Sequence, residues 1–157
     1  MVEPARELLA IPKEYGVPSE TLGWAQVRTR LEEAMRYWLA TTRVDGRSHV
    51  VPIDGLWLDD ALWFGGSPTT VWRSNLLADG RASLHLPDPD AAVIVEGGCE
   101  VVVPDASFVD ELMQGSTQKY GYSVPASAYA GGVWRLLPRK VMAWSSMPSD
   151  ATRFRFS

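Results

Sequence analysis

The segment Gly65-Gly66-Ser67-Pro68-Thr69-Thr70, with Arg73 three residues further on, is where this sequence could hold an anion. It delivers a predicted helix N-terminus directly after a predicted strand. Free backbone N–H groups and the helix dipole make such a place attractive to phosphate. Thr69 and Thr70 add hydroxyl donors. Arg73 is one of only two cations between positions 51 and 110, the other being Arg81. The segment is neither a Walker loop nor a GxGxxG fingerprint. Two readings stand: a phosphate site, or a plain capped helix with Arg73 solvated or paired to an acid.

Other chemistry has less support. The two histidines, His49 and His85, fall on separate predicted strands and form no helical i, i+4 pair, so no metal site is expected. Both read as half-buried structural residues. Cys99, in the apolar run before Val101-Val102-Val103, reads as a packed core thiol, because reactive thiols need an electropositive, accessible setting. A single cysteine can form neither an internal disulfide nor a cysteine-based zinc site. There is no G-x-S-x-G element and no convincing Ser-His-Asp set, so hydrolase chemistry is not indicated and no catalytic side chain is assigned.

The elements that must position these residues are mostly strands. Residues 1–18, with Pro4, Pro12, Gly16 and Pro18, read as an arm with at most one short helical turn. Trp24, Val27, Leu31, Ala34, Met35 and Trp38 recur at helical spacing and predict a helix over Ser19–Tyr37. The period then becomes two. Residues 37–42 and 48–53 form a hairpin around Asp45-Gly46, with Pro52 marking an edge or a bulge. Residues 56–58 and 61–64 form a second, making an antiparallel meander. A helix is expected from Pro68 to Asp79, with Ser67 as N-cap and Gly80 at C′. Residues 81–86 and 92–103 are strands, the second bent at Gly97-Gly98. Asp105 caps another helix through Met113, residues 115–132 form a loop, and 133–137, 140–144 and 151–156 are strands. Six to eight strands with two or three helices predict a mainly β fold closed into a small barrel.

Length and composition agree. The chain has 157 residues, 46% hydrophobic and 22% charged, which fits one soluble domain, here 19–157, behind the arm. No apolar run is long enough for a bilayer helix, and the N-terminus is no secretory signal, so a cytoplasmic protein is expected. The net charge of −4 divides into 0 over residues 1–50, −8 over 51–110 and +4 over 111–157. A pI of about 5.1 argues against a nucleic-acid partner.

The ordered set of segments resembles the pyridoxamine 5′-phosphate oxidase-like, FMN-binding split barrels. The run Arg36 to Ile53 resembles the family's first hairpin. Leu56–Phe64, Arg73–Leu86 and Ala92–Gly97 follow in the family's order and near its spacing, and the closing residues 151–156 are similar to the tail of one of its branches. The resemblance covers about residues 20–157. It implies a six-stranded antiparallel split β-barrel that forms a homodimer, with FMN or its deazaflavin relative, coenzyme F-420, at the dimer interface. It implies that Val50, Val51, Pro52 and Ile53 lie against the cofactor ring. Gly65, Ser67, Thr69, Thr70 and Arg73 approach the phosphate. Val93 lies near the ring from the next strand, and Trp134 or Trp144 covers it from the partner chain. The implied activity is hydride transfer on a small organic substrate. The pyridoxamine-phosphate oxidase tail is not matched, so vitamin B6 oxidation is not implied.

One departure separates this chain from the pattern. Relatives usually carry Lys or Arg three residues before the Asn-Leu pair, where this chain has Trp72. Loss of one charge-assisted phosphate contact costs about 1.5–3 kcal/mol. Three readings follow. One is a redox enzyme, the second a flavin, deazaflavin or haem carrier without turnover, and the third a cofactor-free dimer with Trp72 or another side chain filling the pocket.

Overall fold

The structure, a computed structural model, describes residues 3–157. Positions 1 and 2 of the expected arm lie outside the described residues. In chain order the elements are β1 (Ala5–Leu8), a 3-10 turn (Lys13–Tyr15), α1 (Trp24–Glu33), β2 (Tyr37–Thr42), β3 (Ser48–Ile53), β4 (Leu56–Leu58), β5 (Ala61–Phe64), α2 (Val71–Ala78), β6 (Arg81–His85), β7 (Val93–Val102), α3 (Ala106–Tyr120), a second 3-10 turn (Ala126–Tyr129), β8 (Val133–Ala143) and β9 (Thr152–Arg155).

Alternation places the core. Along β2, Tyr37, Leu39 and Thr41 are buried while Trp38, Ala40 and Thr42 are more open. The one polar member, Thr41, is satisfied by Asn75, whose Nδ2 donates to its hydroxyl at 3.0 Å and so ties α2 to the sheet. Leu62, Leu84, Val95, Leu136, Val141 and Phe154 join Tyr37 and Leu39 in one fully buried cluster. A smaller cluster of Ala61, Trp63, Leu112 and Val133 lies under α3.

All strands join one antiparallel sheet, in the order β1-β9-β8-β7-β6-β2-β3, with the β4–β5 hairpin branching off β8. The branch makes the barrel split. Strand β8 pairs with β7 along one edge, while its other edge is shared by β5 at residues 134–136 and β9 at residues 140–143. Strand β7 follows that change of course through a bulge. Glu96 faces Lys140 and Gly97 faces Pro138, so Arg139 is skipped. A Cβ on Gly97 would come within 2.0 Å of the Leu137 carbonyl oxygen, which makes glycine obligatory there.

The mainly β, antiparallel split-barrel class is that expected, and Pro52 does sit on an edge strand, β3. Nine strands form among the described residues, of which β1 alone falls in a segment not expected to be a strand. Several boundaries differ. The arm supplies β1, which pairs with β9 and carries Glu7 between Arg153 and Arg155. Helix α1 is shorter than Ser19–Tyr37, because the Ser19 and Glu20 amides donate to Ser149 O instead and Ala34 is already extended. Strands β3 and β4 do not pair, so the meander is two separate hairpins. Ser67 caps no helix. Its hydroxyl accepts from Thr69 N in a separate turn, and α2 begins at Val71 after Thr70. Gly80 is no left-handed cap, since Asp79 is extended and Gly80 O accepts from Cys99 N in the sheet. Helix α3 has the Asp105 cap expected, with Asp105 Oδ1 accepting from Phe108 N at 2.8 Å. It runs on to Tyr120 and ends at left-handed Gly121, so the loop begins at 121 rather than 115. Residues 133–143 are one strand, not two, and His85 is exposed rather than half-buried. Among the described residues no helix is long and apolar enough to cross a membrane.

Candidate functional site

The seam between β5 and β8 ends in an aromatic floor. Phe64 is the cross-strand partner of Trp134, with ring centroids 6.5 Å apart and planes at 22°. The chain then leaves the sheet as Gly65-Gly66, bare backbone that lets a ligand come close. Helix α2 follows and turns Trp72 into the core, where it is 4% exposed, and leaves Arg73 half-buried at the cavity. Helix α3 and the 3-10 turn after it form a roof through Leu112, Ser116, Tyr120, Tyr122 and Tyr129. Between floor and roof is a cavity of about 560 Å³, closed on one side by Asp54, Gly55 and Leu56. That volume lies within the range of small-ligand sites.

Charge in this cavity is not balanced. Asp54 Oδ1 is held by Arg36 Nε at 3.1 Å, and its Oδ2 accepts from the Tyr122 hydroxyl at 3.4 Å. Arg73 lines the same cavity half-buried and has no hydrogen-bond or ion-pair partner among the described residues. An unpaired, half-buried guanidinium is a ready partner for a phosphate or carboxylate. Burial holds the Lys119 ammonium, behind the wall, down to about 8, and pushes the Tyr37 and Tyr120 phenols up.

Of the residues singled out from sequence, Gly65, Arg73 and Trp134 meet at the cavity. Ser67, Thr69 and Thr70 belong to the same segment but not to the cavity lining. The Ser67 and Thr69 hydroxyls bond one another at 2.9 Å, and the buried Thr70 hydroxyl has no partner among the described residues. Strand β3 lies apart from the cavity: Val50 and Pro52 face outward on its open edge, Val51 is half-buried and Ile53 is in the core. The Val93 side chain is fully buried in the core and is not part of the cavity lining. Trp134 serves its own chain's cavity, wedged between Phe64 and Trp72. Trp72 does not fill the cavity. Neither histidine and not Cys99 lines it, and burial pushes the Cys99 thiol up to about 12.

The roof was not anticipated. Ser116, Tyr120, Tyr122 and Tyr129 lie in the segment 115–132, whose Gly, Ser and Ala content reads as a loop, and Asp54 reads as a plain strand-end acid. The usable signal was the i, i+4 spacing Leu112-Ser116-Tyr120, which continues the α3 face inward.

The arrangement fits a planar ring carrying an anionic group. Aromatic faces line the slot, Arg73 is the cation in its lining, and Gly65 and Gly66 leave bare backbone beside it. Haem needs an axial His, Cys, Met or Tyr ligand, and of these only tyrosines line the cavity.

The family model for pyridoxamine 5′-phosphate oxidase matches residues 24–145. A conserved hypothetical protein from Mycobacterium tuberculosis superposes with a TM-score of 0.65 at 19% identity, covering 80% of this chain and 86% of that one. An F420 reductase superposes at 0.56 and 24% identity over 73% and 94%. The haem storage protein HutZ from Vibrio cholerae does so at 0.60 and 13% identity over 76% and 93%. At these identities the likeness shows the fold alone. Among curated proteins none matches significantly.

Proposed function

The chain belongs to the pyridoxamine 5′-phosphate oxidase family, and from that premise we propose that it is an oxidoreductase binding FMN or the deazaflavin F-420. The observation that carries this reading is Arg73, a cation without a partner among the described residues, facing an aromatic-walled cavity of about 560 Å³. Arg73 would hold the phosphate, and Phe64 and Trp134 would flank the ring. The roof of α3 and its following loop would exclude water. The bound ring would supply the hydride chemistry. The chain's part is binding and orientation. A homodimer belongs to the proposal. The open edge of β3, with Val50 half exposed, would be one face available to a second copy.

Trp72, where relatives usually carry a cation, favours a second reading: a carrier of flavin, deazaflavin or haem that does not turn over. The third reading, a cofactor-free dimer with Trp72 or another side chain in the pocket, gains no support from Trp72, which packs in the core and is not part of the cavity lining.

The test is absorbance and native mass spectrometry of the isolated protein, then titration with FMN and with F-420. Binding of either at micromolar concentration is expected. A colourless protein that binds neither overturns the proposal, and binding without reduction of any member of a substrate panel favours the carrier.

A further inference from the structure

Gly55 joins β3 to β4, and both of its backbone polar groups are taken by consecutive side chains at the end of α3. Its N–H donates to the Tyr120 hydroxyl at 3.0 Å, and its carbonyl accepts from Lys119 Nζ at 2.9 Å. The Tyr120 hydroxyl proton has that same carbonyl at 2.9 Å and Met35 O at 3.1 Å as alternative acceptors. Lys119 Nζ also donates to the Tyr37 hydroxyl at 2.9 Å, and Tyr37 donates onward to Leu31 O at 2.5 Å. The ammonium lies 4.9 Å from the Tyr37 ring centroid and 5.3 Å from that of Tyr120. The joint has no slack: a Cβ at Gly55 would come 2.8 Å from the Leu62 side chain and 3.1 Å from the Trp63 carbonyl.

The place matters because Asp54, Gly55, Leu56 and Tyr120 all line the cavity. The grip therefore sits where the edge strand β3 meets the cavity wall. A purely structural joint would manage with neutral groups, since burying an ammonium carries a desolvation cost. The charged and titratable groups around Nζ are Tyr37 on β2, Tyr120 beside it, and Asp54 and Arg36 at the strand ends, with Glu32 of α1 acting on Tyr37. Of the two charged groups acting on Nζ, Asp54 favours the ammonium and Arg36 opposes it, and the two are paired with each other.

We propose that Lys119 is a positioning residue of the cavity: with Tyr120 it grips Gly55 and so fixes the wall against which a bound ring lies. The role of the cavity rests on the reading above. The grip itself does not, and can be measured without cofactor. In Lys119→Met, the Gly55 amide is expected to exchange about tenfold faster than in the wild type, while the Leu84 and Val95 amides keep their protection. Lys119→Arg should recover most of the loss.

With FMN as probe, the dissociation constant should rise about tenfold in Lys119→Met near pH 7. Wild-type affinity should weaken between about pH 7 and about pH 9.5, as Lys119 loses its proton, while the variant stays flat. Unchanged Gly55 exchange in a folded Lys119→Met variant overturns the proposal. So does a wild-type affinity that is flat across this pH range, which decides the matter if the variant fails to fold. If FMN and F-420 both fail to bind the wild type, the functional reading fails, and Gly55 exchange still decides the grip.

Discussion

Trp72 meets Trp134 edge to face, with ring centroids 6.0 Å apart and planes at 80°. Phe64 completes the set at 5.2 Å from Trp72. The residue that stands where relatives usually place a cation thus packs in the core behind the cavity floor, and the neighbouring Arg73 lines the cavity.

Restoring the relatives' charge should therefore fail. Trp72→Lys buries an ammonium among aromatic rings and leaves a void, an expected loss of about 3–5 kcal/mol in urea unfolding. A stable variant with tighter FMN binding would contradict this packing account.

Arg73→Gln keeps much of the side-chain bulk and removes the charge. FMN affinity should fall tenfold to a hundredfold, matching about 1.5–3 kcal/mol for a charge-assisted contact. Riboflavin, which has no phosphate, should bind both proteins about equally. Equal FMN binding, measured by fluorescence quenching, would assign the anion elsewhere.

Cys99 should resist alkylation. With its thiol pushed up to about 12 by burial alone, little thiolate exists near pH 8, and the side chain packs against the core. Iodoacetamide should label the folded protein far more slowly than the urea-unfolded chain. Rapid labelling of the folded protein would show an open route to the sulfur.

Stability should pass through a maximum in the alkaline range. Lys119 sits at about 8 in the fold against 10.5 in the open chain, so between those values the unfolded chain holds more protons and stability rises with pH. Tyr37 and Tyr120 act oppositely. Burial raises both above 10.0, so stability falls once the unfolded phenols ionise above that value. Urea midpoints measured across this range should rise and then fall, and Lys119→Met should lose the rise.

Local features were legible before the fold was known. Asp45-Gly46 announced the β2–β3 hairpin. Asp59 and Asp60, both at φ 53°, turn β4 into β5 as a two-residue hairpin needs. Asp105 marked the start of α3. What escaped is set by contacts between distant segments. Gly115 and Ser116 look like loop composition, yet Gly115 passes against Leu56, and that contact keeps the helix going. Pro138 looks like a strand break, yet the bulge at Gly97 absorbs it. Arg73 stands out in the sequence because cations are rare between positions 51 and 110. Asp54, Tyr120 and Tyr129 carry no such mark, and only the folded chain places them on one cavity.

The branching of β8 bears on when a binding site exists during folding. Leu62 and Leu136 pair across 74 residues of chain, while the β2–β3 and β4–β5 hairpins close over short turns. Closing the longer loop costs more chain entropy, so the β5–β8 seam is expected to form after those hairpins. Phe64 and Trp134 are that seam, and they are also the cavity floor. A partly folded chain would have native hairpins and no slot, so ligand capture would report completion of the fold and not its beginning.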